Sequence, residues 1–175
     1  MATSLYDLSV ASYLQTLGGV AGYLERGLSH FEENNVDLNE IVETRLYPDM
    51  LPFRFQIKSI QHHSLGAIEG IKKGVFSPPV GMPEGGYAEM QKFIAETREA
   101  LQALTREEVD GLAGKDVAFQ FGERKMPFTA ESFVMSFSMP NFYFHAATAY
   151  DILRHKGVEI GKRDFLGASQ IKARS

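Results

Sequence analysis

The 175-residue chain contains no cysteine and no tryptophan. Without thiols it can form no disulfide, no thiolate zinc site, no iron–sulfur cluster and no cysteine nucleophile. The same absence suits a reducing compartment, so a cytoplasmic location is expected. No run approaches the roughly 18 apolar residues that a membrane span requires. Met1–Asp7 carries no basic stretch ahead of an apolar core, so neither a membrane contact nor a signal peptide is expected. Positive charge is in short supply: 18 Lys and Arg stand against 22 Asp and Glu, for a net charge of -4. That balance lacks the basic footprint that phosphate backbones select, which argues against nucleic acid as a partner. Also missing are Gly-x-x-x-x-Gly-Lys-Ser/Thr, Gly-x-Gly-x-x-Gly, Gly-x-Ser-x-Gly, His-Glu-x-x-His and His-x-x-x-His. No nucleotide cradle, nucleophile elbow or helical zinc pair can therefore be read.

What the chain does have is helical periodicity. With 44% apolar and 23% charged residues it has the composition of an ordinary globular protein, and its length suits one domain, residues 1–175, with 168–175 frayed. Leu5, Leu8, Tyr13, Leu17, Val20, Leu24, Leu28 and Phe31 recur at helical steps behind a Ser4–Asp7 capping pattern. Gly18, Gly19 and Gly22 interrupt this stretch and imply either a close backbone approach or a kink. A short helix is expected over Leu38–Leu46. A second long one is expected from about Pro48 to Lys73, with Phe53, Ile57, Ile60, Ser64, Ala67, Ile68 and Ile71 inward. Val75–Gly86 reads as a loop. A third helix covers Tyr87–Leu104, and a capping box at Thr105 opens a brief turn. Asp116–Thr129 alternates with period two around Gly122, a small hairpin whose Pro127 confines it to an edge. The last helix runs from Ala130 to His155, with Met135 among its inward residues and Pro140 kinking or splitting it. The expected fold is all-α: an antiparallel four-helix bundle with one β-hairpin between the third and fourth long helices.

Among five histidines, two lie at the edges of inward stripes. His63 flanks the stripe of the second helix beside Gln56, while His62 points nearly opposite. His145 edges the stripe of the last helix, in a column with Asn141 and Thr148. Bundle interiors are where metal and ligand sites are commonly built, and neutral imidazoles suit zinc, nickel or iron. Two histidines fall short of the three protein ligands of a catalytic zinc centre, and a third would have to come from Asp49, Asn141 or another carboxylate. The other reading makes His145 a hydrogen-bonded core residue. His30 and His155 end helices and read as caps. Phe142, Tyr143 and Phe144 project in three directions from one turn, more than one core face can absorb, so a homodimer is expected.

Two stretches carry a family likeness. Leu46-Tyr47-Pro48-Asp49-Met50-Leu51-Pro52, with the long run from Pro140-Asn141-Phe142-Tyr143-Phe144-His145 to Arg163-Asp164-Phe165-Leu166-Gly167, resembles a bacterial family of unknown function. That family belongs among the DinB/YfiT-like helical bundles, candidate metalloenzymes related to damage-inducible proteins. The likeness extends from Leu5 to Gly167. It implies a divalent metal held by one histidine of the second helix and two, four residues apart, of the last. By position, His145 matches the first of that pair, Ala149 stands where the second would be, and His62 or His63 supplies the other. Two functions follow as expectations. One is a metal-dependent enzyme acting on a small molecule by metal-assisted hydrolysis or thiol-dependent transfer. The other is a non-catalytic dimeric bundle, or a small-ligand-binding protein, with an incomplete metal site.

Overall fold

The long periodic stretches fold as helices because each carries an apolar stripe that only burial against another element can satisfy. The computed structural model describes residues 3–169 and residue 171. The expected fraying of 168–175 therefore falls partly on 170 and 172–175, which lie outside the described residues. Ser4 and Asp7 cap the first helix reciprocally, each main-chain N–H donating to the other's side chain at 3.3 Å. A π-helical turn, Asp7–Ala11, leads into α1 (Ser12–Glu33). Then follow α2 (Leu38–Glu43), α3 (Phe53–His62), α4 (Leu65–Lys73), β1 (Val75–Phe76), α5 (Tyr87–Gln102) and α6 (Arg106–Asp110). After β2 (Asp116–Phe121) and β3 (Arg124–Thr129), α7 (Ala130–Phe133) passes through a π-helical turn at Val134–Ser138 into α8 (Met139–His155). The last described helix is α9 (Lys162–Leu166). The protein is mostly helical with a small three-stranded sheet.

α3 packs against α8 and α5, and α1 against α5, α8 and α9. Their stripes merge in one core that includes Tyr13, Leu17, Ile57, Ile60, Phe133 and Phe142. Three tyrosines are buried in it, and each hydroxyl has found a partner. Tyr23 donates to the Ala146 carbonyl (3.1 Å), Tyr87 to that of Leu24 (2.8 Å), and Tyr13 meets Ser138 Oγ (2.7 Å). An unpaired buried hydroxyl would cost about 1–3 kcal/mol, so each pairing ties two helices at a fixed offset.

Four expectations need correction. The second helix is not continuous from Pro48 to Lys73: Pro48–Leu51 is turn and extended chain, and the helix breaks between His62 and Leu65. Ser64 sits at the break, its Oγ donating back to the Ile60 carbonyl at 2.7 Å. The His63 carbonyl takes its proton instead from Ser138 Oγ at 2.7 Å. Because that hydroxyl is committed to a carbonyl, Tyr13 must be the donor in the Tyr13–Ser138 contact.

The hairpin is not the whole sheet. β1 pairs in parallel with β2, which leaves β3 and its Pro127 on an edge. Two residues are too few for alternation to show, so β1 reads as loop. In the last helix, Pro140 has no N–H for the Ser136 carbonyl, and the wider π turn just before it absorbs the mismatch. That turn also moves residues off a regular wheel: Met135, expected inward, is 61% exposed. The short helix stops at Glu43 rather than Leu46. Of Gly18, Gly19 and Gly22, which share α1 with Gly27, Gly19 serves a close approach. A Cβ there would lie 2.3 Å from the Phe165 carbonyl oxygen, whereas Gly18 and Gly22 have nothing within 4 Å.

Candidate functional site

The α3–α8 contact carries a seam of polar side chains through an otherwise apolar interior. From α3 come Gln56, Ser59 and His63, at steps of three and four residues, all buried. From the other side come Ser138, Asn141, His145 and Thr148. The helix break places His63 at the C-terminal cap of α3, with its ring against that of His145. The two centroids are 5.8 Å apart and the planes differ by 12°. Aromatic rings enclose the pair: Phe76 and Phe137 beside His63 (5.5 and 6.0 Å), Phe55 and Phe144 beside His145 (5.9 and 5.3 Å).

Hydrogen bonding divides the seam into satisfied and unsatisfied groups. Gln56 Oε1 lies 2.7 Å from His145 Nδ1, and Gln56 Nε2 donates to the Leu51 carbonyl at 2.8 Å. Asn141 and Thr148, expected to line a pocket, direct their donors to their own helix, at the carbonyls of Phe137 (2.7 Å) and Phe144 (2.8 Å). His63 Nδ1 and Ser59 Oγ, one turn apart on α3, are buried with no partner among the described residues. His62 lies outside the seam. Its Nε2 meets the Ser77 carbonyl at 2.8 Å and its ring stacks on Phe76 at 4.3 Å. There it lines an outer groove of about 450 Å³ with Lys58, Lys73 and Pro78. No local pattern in the chain points to that groove, because its far wall is the segment read as loop.

Burial pushes the His63 imidazole down to about 3, helped by His62 and His145. Burial likewise lowers His145 to about 4, with His62 adding to the effect. His62 is lowered too, by burial against the opposing pull of the Ser77 carbonyl. All three rings are uncharged near neutral pH, so each offers one N–H donor and one acceptor nitrogen rather than a cation.

The remaining candidates are scattered. Asp49 is exposed on the Pro48–Leu51 turn, and His30 and His155 occupy the last turns of α1 and α8. Ala149 is wholly buried and offers no ligand. Among the described residues no group of three or more His, Cys, Asp or Glu side chains is placed to hold a metal ion. Nor, among them, is any helix long and apolar enough to cross a membrane.

Comparison with known proteins bears on the architecture that holds this seam. The chain is similar to a DinB family member protein from Shewanella denitrificans, whose crystal structure it matches with a TM-score of 0.81 and 26% identity, over 97% of this chain and 96% of that one. No curated protein matches it significantly. The family described as a domain of unknown function, DUF1993, matches residues 5–166, and the chain belongs to that family, within the DinB-like superfamily.

Proposed function

We propose that the protein is an antiparallel four-helix bundle of the DinB type that binds a small organic molecule at the His63–His145 pair without transforming it. The observation that carries this reading is the buried, unpartnered Nδ1 of His63 beside a second neutral imidazole. A group so placed forfeits about 1–3 kcal/mol relative to a hydrogen-bonded one, which a guest that hydrogen-bonds to it restores. The surrounding rings of Phe55, Phe76, Phe137 and Phe144 set the guest's character. It is neutral, with a flat apolar body and one hydrogen-bonding group. Both imidazoles are weak bases, held well below their ordinary value by burial, which supports binding without proton transfer.

The divalent metal implied by the fold family does not fit these residues. A catalytic zinc centre takes about three protein ligands, and the donor set ends at two imidazoles with Ala149 in the third place. Protein purified without a histidine tag is expected to carry no stoichiometric zinc, nickel or iron by elemental analysis. Phenol, as the probe, should shift the ring resonances of His63 and His145 in wild type and lose that effect in His145→Ala. Stoichiometric metal that disappears in His145→Ala would overturn this reading and support the metal-dependent enzyme instead.

Assembly enters the same proposal. Phe142 is buried, but Tyr143 and Phe144 are 40% and 57% exposed beside the site. A twofold contact between two copies would cover them, in keeping with a cytoplasmic bacterial homodimer. Sedimentation at micromolar concentration should show a dimer that Phe144→Ser weakens; a wild-type monomer at that concentration would exclude it.

A further inference from the structure

The Leu46–Pro52 segment holds two prolines within five residues, and the binding reading leaves it without a role. Its contribution is a main-chain carbonyl. Arg45 Nη1 donates to the Met50 carbonyl at 2.5 Å, the Met50 N–H to Tyr47 at 3.0 Å, and the Phe53 N–H to Thr44 at 2.8 Å. Pro52 adds a fixed φ immediately after Leu51. The Leu51 carbonyl is thus held from both sides, and Gln56 Nε2 donates to it at 2.8 Å.

A carbonyl can only accept, so the amide end of Gln56 facing Leu51 is the NH2 group. Its Oε1 end, 2.7 Å from His145 Nδ1, can also only accept. The proton between them belongs to His145 Nδ1. In the neutral imidazole the lone pair then resides on Nε2. The opposite arrangement, with a bare Nδ1 against Oε1, would set two acceptors face to face in a buried seam.

We propose that Gln56 is a positioning residue: anchored by the Leu51 carbonyl, it fixes His145 as the Nδ1–H tautomer and makes Nε2 its acceptor nitrogen. This deepens the binding reading by naming the atom a guest would meet, and it rests on that reading only for the guest. His62 supplies an internal contrast. Its Nε2 faces the Ser77 carbonyl, so the same logic gives it the Nε2–H tautomer.

Long-range 1H–15N correlation of the full chain labelled in histidine, at about pH 7.5 where the imidazoles are neutral, reads each tautomer directly. Wild type should show His145 as Nδ1–H and His62 as Nε2–H. Gln56→Leu, which removes the acceptor, should turn His145 to a majority of Nε2–H and leave His62 unchanged. Gln56→Met, close to glutamine in shape and equally without the acceptor, should do the same. A wild-type His145 in the Nε2–H form overturns the proposal without any variant. So does Gln56→Leu with Nδ1–H retained; if that variant fails to fold, Nδ1–H retained in Gln56→Met overturns it equally. Failure of phenol to perturb either ring would remove the binding reading and leave the tautomer result standing.

Discussion

Gly19→Ala is expected to destabilise the protein by about 1–3 kcal/mol, whereas Gly18→Ala and Gly22→Ala should each stabilise it by up to about 1 kcal/mol. All three glycines lie in α1, where alanine is the better helix former. At Gly18 and Gly22 a methyl group meets nothing within 4 Å, so the propensity gain is kept. At Gly19 it would lie 2.3 Å from the Phe165 carbonyl oxygen and 2.7 Å from that of Asp164. These are main-chain atoms and cannot rotate aside. The segment carrying them would have to lift off α1. Its other ties include the Phe165 ring, packed on Tyr150 at 6.0 Å, an exposed ion pair, Arg26 to Asp164 at 2.6 Å, and a bond from Gln15 Nε2 to the Leu166 carbonyl at 3.1 Å. The exposed pair contributes little, so backbone fit at Gly19 and the packing of Phe165 govern the docking. Urea denaturation of the three variants decides it: equal midpoints for Gly19→Ala and Gly18→Ala would show that the close approach does not hold.

Acidification should cost the protein on the order of a few kcal/mol, and His63→Phe should remove up to about half of that loss, His145 keeping its own share, a tenfold change in proton affinity being worth about 1.4 kcal/mol. The folded-state values of His63 and His145, about 3 and about 4, lie below the ordinary imidazole value of 6.5. The unfolded chain therefore binds more protons in this range. Stability is complete above the unfolded value, falls as pH drops below 6.5, and keeps falling until about 4 and then about 3 are passed. His62 adds in the same direction. Phenylalanine suits the place because Phe76 and Phe137 already adjoin the ring, and because it removes the unpartnered Nδ1 outright. Urea denaturation at about pH 7.5 and pH 5, either side of the imidazole range, should show the variant's advantage growing at the lower value. A slope equal to that of wild type would mean that His63 is not buried neutral.

Periodicity alone determined the helical class of this protein, since stripes such as Leu17–Val20–Leu24 and Ile57–Ile60–Ala67 have no other way to leave water. The hairpin strands were equally legible, because alternation over Val117–Phe121 is a local signal. Of the site, the wheel could place His63 and His145 on inward edges, and the resemblance could mark Ala149 as a missing ligand. Only the tertiary structure decided the rest. The stripe of the second helix runs unbroken through His62–Ser64, so the break is invisible until Ser138 arrives from another helix to take the His63 carbonyl. β1 exists because β2 lies beside it. Met135 turns outward because a π turn adds a residue that no regular wheel includes. Gly19 differs from Gly18 only through a segment near the other end of the chain, at Asp164 and Phe165, and the Leu51–Gln56–His145 chain joins two helices distant in sequence. Local sequence records which face of a helix avoids water; which atom meets which across that face depends on offsets between elements, and those are set by packing.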